Sequence, residues 1–198
     1  MNQNMMDIFN SPEEVALRKH LFSTPNHHAY AIVDGAASPG LLSTFNQHPA
    51  EYRCLFLGEL DPALAAAAPY LIKLKQYSHI TEWLITSKGL NQHIFAVVPD
   101  NIEFNTLHTH FRGFLRIRSA RNKMLYFRYY DPRVMQDFLP NCCPEQAQTL
   151  FGPIKEYLVE DAQEKMHRFW QENERVTQQP LVPLQTQNDQ TSKAQARC

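Results

Sequence analysis

Nine histidines and four cysteines are the first residues in this chain that invite a chemical reading. His27-His28 are adjacent and precede an apolar run, so in an extended chain their side chains leave on opposite sides. His108-x-His110 falls in a helical pattern, where residues two apart point about 200° away from each other. Neither pair has a carboxylate or cysteine at ligand spacing, so no metal is expected. Cys142 and Cys143 are neighbours that cannot form an ordinary disulfide with each other, and the chain has no C-x-x-C. Cys54 lies in an apolar run and reads as a buried small hydrophobe. This is cysteine usage for a reducing cytoplasm.

Nucleophilic catalysis needs a nucleophile held beside a base. The chain has no G-x-S-x-G elbow, and Ser38 in Ala37-Ser38-Pro39-Gly40 reads as loop punctuation. Asp34-Gly35-Ala36-Ala37 follows a strand where phosphate-binding turns occur, but one glycine is no cradle and Asp34 would repel an anion. No cofactor is expected. The densest polar cluster is Arg128-Tyr129-Tyr130-Asp131-Pro132-Arg133. Asp131 is expected to cap a helix, worth about 1 kcal/mol. Arg128 either pairs with a carboxylate across the sheet or contacts a partner. Arg133 projects from the helix's first turn, where a cation opposes the dipole, so it needs a carboxylate, with Asp34 the first choice.

The bulk composition narrows what such a cluster serves. Hydrophobic residues make up 43% of the 198 and charged residues 20%, which suits a globular domain with a real core. Lys+Arg of 19 against Asp+Glu of 20 leaves no excess of positive charge to follow a phosphate backbone. MNQNMMDIFN has no basic stretch followed by an apolar one, so it is not a signal peptide. The apolar run from Ala63 to Ile72 is broken by Pro69 and is far short of the roughly 20 residues a spanning helix needs. A soluble, cytoplasmic protein is expected.

Several elements can be placed from pattern alone. Residues 1–27 contain a helix that opens at Ser11-Pro12-Glu13-Glu14, a capping box with proline at the first helical position. Tyr30–Val33, Cys54–Leu57 and Ile94–Val98 are continuous apolar runs without polar alternation, as in strands covered on both faces of a parallel α/β sheet. Helices are expected over 40–47, in the alanine-rich stretch from Asp61 to a stop at Pro69, and over 78–88 with Gly89 as its C-cap. Another is expected after Asp100, with Glu103 in the capping-box place. Segments 112–118 and 124–130 alternate and read as an antiparallel hairpin at a half-exposed sheet edge. On that reading Leu125, Phe127 and Tyr129 face the core, and Met124, Tyr126, Arg128 and Tyr130 face away. Asp131-Pro132 and Pro144 open two more helices, the second ending at Gly152. Residues 154–176 are expected as a long helix with the stripe Leu158, Ala162, Met166, Phe169, Trp170, and 177–198 as a disordered tail. The fold expectation is therefore α/β: a mixed sheet of about five strands, made of three parallel strand–helix units and a hairpin. A helical C-terminal part follows.

Taken in order, these residues resemble the type VI secretion effector-chaperone family, also called Tap/TEC adaptors. Tyr30–Ala36 resembles that family's opening strand and Asp-Gly turn, and Tyr52–Phe56 its second strand. Ala68-Pro69-Tyr70-Leu71-Ile72 resembles its Ala-Pro-Tyr-Leu turn, and Trp83-Leu84 its tryptophan-bearing helix. Leu107–Arg116, with His110 and Phe111-Arg112, is similar to its His-Leu-Arg segment. Phe127–Arg133 matches its most specific signature, and Leu150-Phe151-Gly152-Pro153 its closing one. The resemblance covers about residues 28–153, the α/β adaptor domain. It implies a cytoplasmic, non-enzymatic chaperone that holds a toxin effector, usually by its N-terminal segment, and loads it onto a VgrG spike or PAAR tip protein. Many relatives carry a larger helical C-terminal lobe than this chain provides.

On that resemblance the residues expected to carry binding or the motif are Asp34, Tyr70, His110, Arg128, Tyr130, Asp131 and Arg133. Phe169 and Trp170 join them as aromatics that either anchor a partner or pack in the core. No nucleic acid and no membrane is expected as partner. The competing expectation is a small α/β enzyme, a hydrolase or nucleotide-binding protein, using the Asp34-Gly35 strand end, since ligands favour the carboxyl ends of parallel strands.

Overall fold

The computed structural model describes residues 11–86, 93–118 and 122–182. Ser11 and Glu14 form the expected capping box: the Ser11 Oγ accepts from the Glu14 N–H, and the Glu14 carboxylate accepts from the Ser11 N–H. They open α1 (Pro12–Ser23), which buries Leu17 and Leu21. Next come β1 (His27–Asp34), α2 (Leu41–Gln47), β2 (Glu51–Cys54), α3 (Pro62–Ala67), β3 (Pro69–Lys73), α4 (His79–Thr86) and β4 (His93–Pro99). Helix α5 (Phe104–Gly113) leads to the short strands β5 (Arg116–Arg118) and β6 (Met124–Tyr126). Then follow α6 (Pro132–Phe138), a 3-10 turn, α7 (Pro144–Phe151), β7 (Glu156–Glu160), β8 (Met166–Glu172) and β9 (Arg175–Pro180).

Seven strands form one sheet in the order β2-β3-β1-β4-β7-β8-β9, and every neighbouring pair is antiparallel. Helices cover both faces. Leu107 of α5, Met135 of α6 and Leu150 of α7 pack with Tyr30, Ile94 and Tyr157 on one side. Leu17 of α1, Phe45 of α2 and Leu84 of α4 pack with Val33, Phe95 and Leu158 on the other.

This overturns the expected mixed sheet of about five strands with three parallel units. The continuous apolar runs of β1 and β4 are buried as read, but continuous burial reports two covered faces, not strand direction. β1 and β2 do run the same way, each being antiparallel to β3, yet β3 lies between them. Pro69, expected to end a helix and form a turn, is the first residue of β3, a place where a proline costs no ladder bond. The second strand lies at Glu51–Cys54, ahead of the apolar run assigned to it. Because the sheet is antiparallel, carboxyl ends do not gather along one edge, which removes the premise for a ligand site at the end of β1.

The C-terminal helix is also overturned: residues 154–176 contain β7 and β8 and enter β9. The stripe Leu158, Ala162, Met166 has helical spacing, but the chain reverses between the second and third of these. The Asp161 carboxylate accepts from the Gln163 and Lys165 N–H groups, and Glu164 takes a left-handed φ of 60°. Thr177–Pro180, expected in the tail, complete β9, whose Thr177 pairs with Trp170. Residues 183–198 lie outside the described residues, as does the expected Gly89 cap. The hairpin exists but is shorter than expected and forms its own two-stranded sheet. Its expected faces fail too: Leu125 is exposed while Tyr129 and Tyr130 are both buried. Helix α5 starts later than expected, with Glu103 at its N-cap and no side-chain cap bond.

Candidate partner-binding site

Asp34 ends β1, and its carboxylate accepts from the Ala36 N–H at 3.0 Å and from the Arg128 guanidinium at 2.7 Å. That pair raises the Arg128 pKa above its ordinary value. The guanidinium also lies 5.6 Å from the centre of the Tyr130 ring, a residue buried in the core. Asp131 caps α6 as expected, accepting from the Arg133 N–H at 3.1 Å. The Arg133 side chain then folds back onto Asp131 in a two-pronged pair at 3.0 and 2.8 Å. Burial opposes ionisation of Asp131, but the bonds from Arg133 outweigh it and hold the carboxyl below its usual range. The expected pairing is thus exchanged: Arg128, not Arg133, takes Asp34. The reason is local, since the cap carboxylate already stands within reach two residues from Arg133.

Tyr70 sits on β3 opposite Val33, and its hydroxyl donates to the Ala65 carbonyl at 2.8 Å. Burial pushes its phenol up to about 12. Beside it the Asp34-Gly35 turn passes so close to the chain that a Cβ on Gly35 would lie 2.4 Å from the Ala68 carbonyl oxygen. His110, on α5, is elsewhere. Its Nε2–H donates to the Leu150 carbonyl at 3.0 Å, and its ring fills the space over Gly152, whose φ is +45°. Burial lowers the His110 pKa, with the Leu150 bond opposing. His108 turns the other way, its Nε2–H donating to the Cys54 carbonyl at 2.8 Å. The motif segments of the sequence therefore meet in pairs: Asp34 with Arg128, Gly35 with Ala68, His110 with Gly152. Each pair is a joint between elements far apart in the chain.

Phe169 and Trp170 are neighbours on β8 and so point to opposite faces. Phe169 is fully buried beneath α5–α7. Trp170 is half-buried on the other side, with the Arg168 guanidinium 5.4 Å from its ring centre. They form no shared aromatic surface.

The surface that sequence reasoning missed lies beside the hairpin. A groove of about 720 Å³ has Leu55, Phe56, Leu60 and Leu115 for its floor and Leu57, Leu64 and Tyr126 for its walls. Leu57 is 69% exposed and Tyr126, the groove's hairpin residue, 52%, while Met124 at 54% and Leu125 at 48% are exposed on the hairpin outside the groove's lining. A run of large apolar side chains in water is the usual mark of an interaction surface. The available signal was Met124-Leu125-Tyr126 itself, three apolar residues in succession on a strand too short to bury both faces. Among the described residues no group of three His, Cys, Asp or Glu side chains is placed to hold a metal ion. No helix among them is long and apolar enough to cross a membrane.

Residues 29–149, well over half of the chain, match the model of a family described as a domain of unknown function, DUF4123. The chain belongs to that family. Neither a curated protein nor a solved structure matches it.

Proposed function

We propose that this member of the DUF4123 family is a cytoplasmic, non-enzymatic adaptor that binds a type VI secretion effector and assists its loading onto a VgrG or PAAR spike protein. The observation that carries the reading is the exposed apolar groove walled by Leu57, Leu64 and the hairpin residue Tyr126, beside a hairpin whose Met124 and Leu125 are exposed as well. Such a surface gains free energy only when covered, at roughly 25 cal/mol per Å² of apolar area removed from water. The polar signature supports the same reading from the other side. Asp34 with Arg128 and Asp131 with Arg133 are engaged in pairs, so these charges are already partnered within the body while the apolar residues of the hairpin face water. The type of partner comes from the ordered resemblance to effector chaperones over residues 28–153.

The test is purification of the tagged protein from its native host, followed by mass spectrometry, beside a Leu125→Ser/Tyr126→Ser variant. A toxin effector with a VgrG or PAAR protein is expected with the wild type and not with the variant, at unchanged melting temperature. Recovery without any effector, or equal recovery by both proteins, contradicts the proposal.

A further inference from the structure

The rim of the groove carries Arg112, at the end of α5, and Arg116, at the start of β5, and no aspartate or glutamate is among its lining residues. The chain as a whole has no cationic excess, with a net charge of -1. Among the other described arginines, Arg18 pairs with Glu82, Arg128 with Asp34, Arg133 with Asp131 and Arg168 with Glu156, while Arg53 and Arg175 form no ion pair among the described residues. Arg118, on the outer side of the hairpin, donates to Asn122. Arg112 and Arg116 make no ion pair among the described residues. Two unpaired guanidinium groups thus border an apolar hollow of the size that specific ligands occupy.

We infer that the groove takes an acidic amphipathic segment of the partner protein, its apolar side chains in the hollow and its carboxylates on Arg112 and Arg116. Apolar anchors on one face with charges on the next are how a peptide lays into such a groove. Guanidinium groups flanking the apolar floor select carboxylates by two-pronged hydrogen bonding. A nucleic acid fits less well, because its phosphates have no use for a floor of Leu55, Leu60 and Leu115. The inference rests on the adaptor reading and adds to it the chemistry of the bound segment.

The experiment uses the full chain and three fluorescein-labelled peptides on one helical pattern: leucine with glutamate, leucine with lysine, and serine with glutamate. The leucine–glutamate peptide is expected to bind at least about tenfold more tightly than either of the others. Its affinity should fall as salt rises from about 50 to about 500 mM. Arg112→Glu/Arg116→Glu, on exposed or half-exposed positions, should keep the wild-type melting temperature. It should lose about tenfold for that peptide and gain for the lysine one. Equal binding of the glutamate and lysine peptides by the wild type overturns the inference, as does a charge reversal without effect. Tighter binding of single-stranded DNA than of the acidic peptide, or self-association abolished by the reversal, overturns it in favour of those occupants. The failures are separable. If the reversed variant captures the native effector as well as the wild type does, the adaptor reading stands and this inference falls. If the peptide preference holds but the wild type captures no effector, the adaptor reading falls alone.

Discussion

The Arg128 guanidinium donates to the Asp34 carboxylate at 2.7 Å across 94 positions of sequence, tying the segment that enters α6 to the end of β1. The two ends of this pair are not equivalent. The arginine side chain is 49% exposed and the aspartate side chain 4%, so losing the arginine strands a buried charge, while neutralising the aspartate frees a solvated one. Arg128→Ala is expected to cost about 1–2 kcal/mol by urea denaturation. On an Asp34→Asn background the same change should cost less by about 1 kcal/mol. Equal costs in both backgrounds would show that the pair does not stabilise this joint.

Gly152 and His110 give a second joint that can be taken apart. A Cβ at Gly152 would stand 2.4 Å from the His110 ring, at a backbone φ of +45°. Gly152→Ala should therefore cost about 2 kcal/mol or more in thermal melts, from crowding and backbone strain together. In a His110→Ala background the crowding disappears and only the strain remains, so the added cost should shrink. A cost unchanged by removing the ring would mean that the ring does not set the requirement for glycine.

Neighbouring aromatics on β8 should behave in opposite ways. Phe169 is fully buried, and Phe169→Ala is expected to cost about 3–5 kcal/mol. Trp170 is half-buried against Arg168, so Trp170→Ala should stay below about 2 kcal/mol. Similar costs for the two changes would contradict their placement on opposite faces of the sheet.

Glu160, buried on β7, leaves its Oε2 without a hydrogen-bond partner among the described residues. Burial, helped by the charges of Glu164 and Asp161, pushes its carboxyl from 4.5 up to about 7. A carboxyl whose folded pKa is raised contributes stability that is present below the unfolded value and is lost as pH rises through the folded one. Glu160→Gln should therefore gain on the wild type from pH 4.5 through about 7, by about 3 kcal/mol at the top of that window. His93 works in the other direction. Burial lowers its imidazole from 6.5 to about 4, so its contribution is present above 6.5 and is lost as pH falls through 4. The two slopes oppose each other in the wild type, so Glu160→Gln should uncover stability that rises with pH between the two His93 values. Urea midpoints of both proteins across this range decide it, and a constant gap between them would rule out the titration of Glu160.

What was legible in the sequence was what short-range chemistry determines. Ser11 with Glu14 and Asp131 before Pro132 announce their caps because capping is settled within three residues. The runs of β1 and β4 announce burial on two faces. Their partners are chosen by strands such as Pro69–Lys73, whose opening proline looks locally like a helix stop. Leu158, Ala162 and Met166 keep helical spacing across a turn, so periodicity alone cannot separate one helix from two short strands there. The polar signature was visible as a cluster, and Asp131 was placed correctly. The exchange of Asp34 from Arg133 to Arg128 depended on tertiary reach. The groove was hidden because its lining comes from the segment between β2 and α3, from α3 and α5, and from the hairpin, which have no shared pattern.

The central claim is a division of labour in which the signature residues hold the fold and the hairpin groove holds the partner. It is tested most directly by effector retention at matched folded concentration for Arg128→Ala and for Leu125→Ser/Tyr126→Ser. Arg128→Ala should melt earlier yet retain the effector as the wild type does, per folded molecule. The hairpin variant should melt with the wild type, since its two changed residues are 48% and 52% exposed, and should lose the effector. The contradicting result is an Arg128→Ala protein that unfolds at the wild-type midpoint and no longer retains the effector, which would make the signature itself the recognition site.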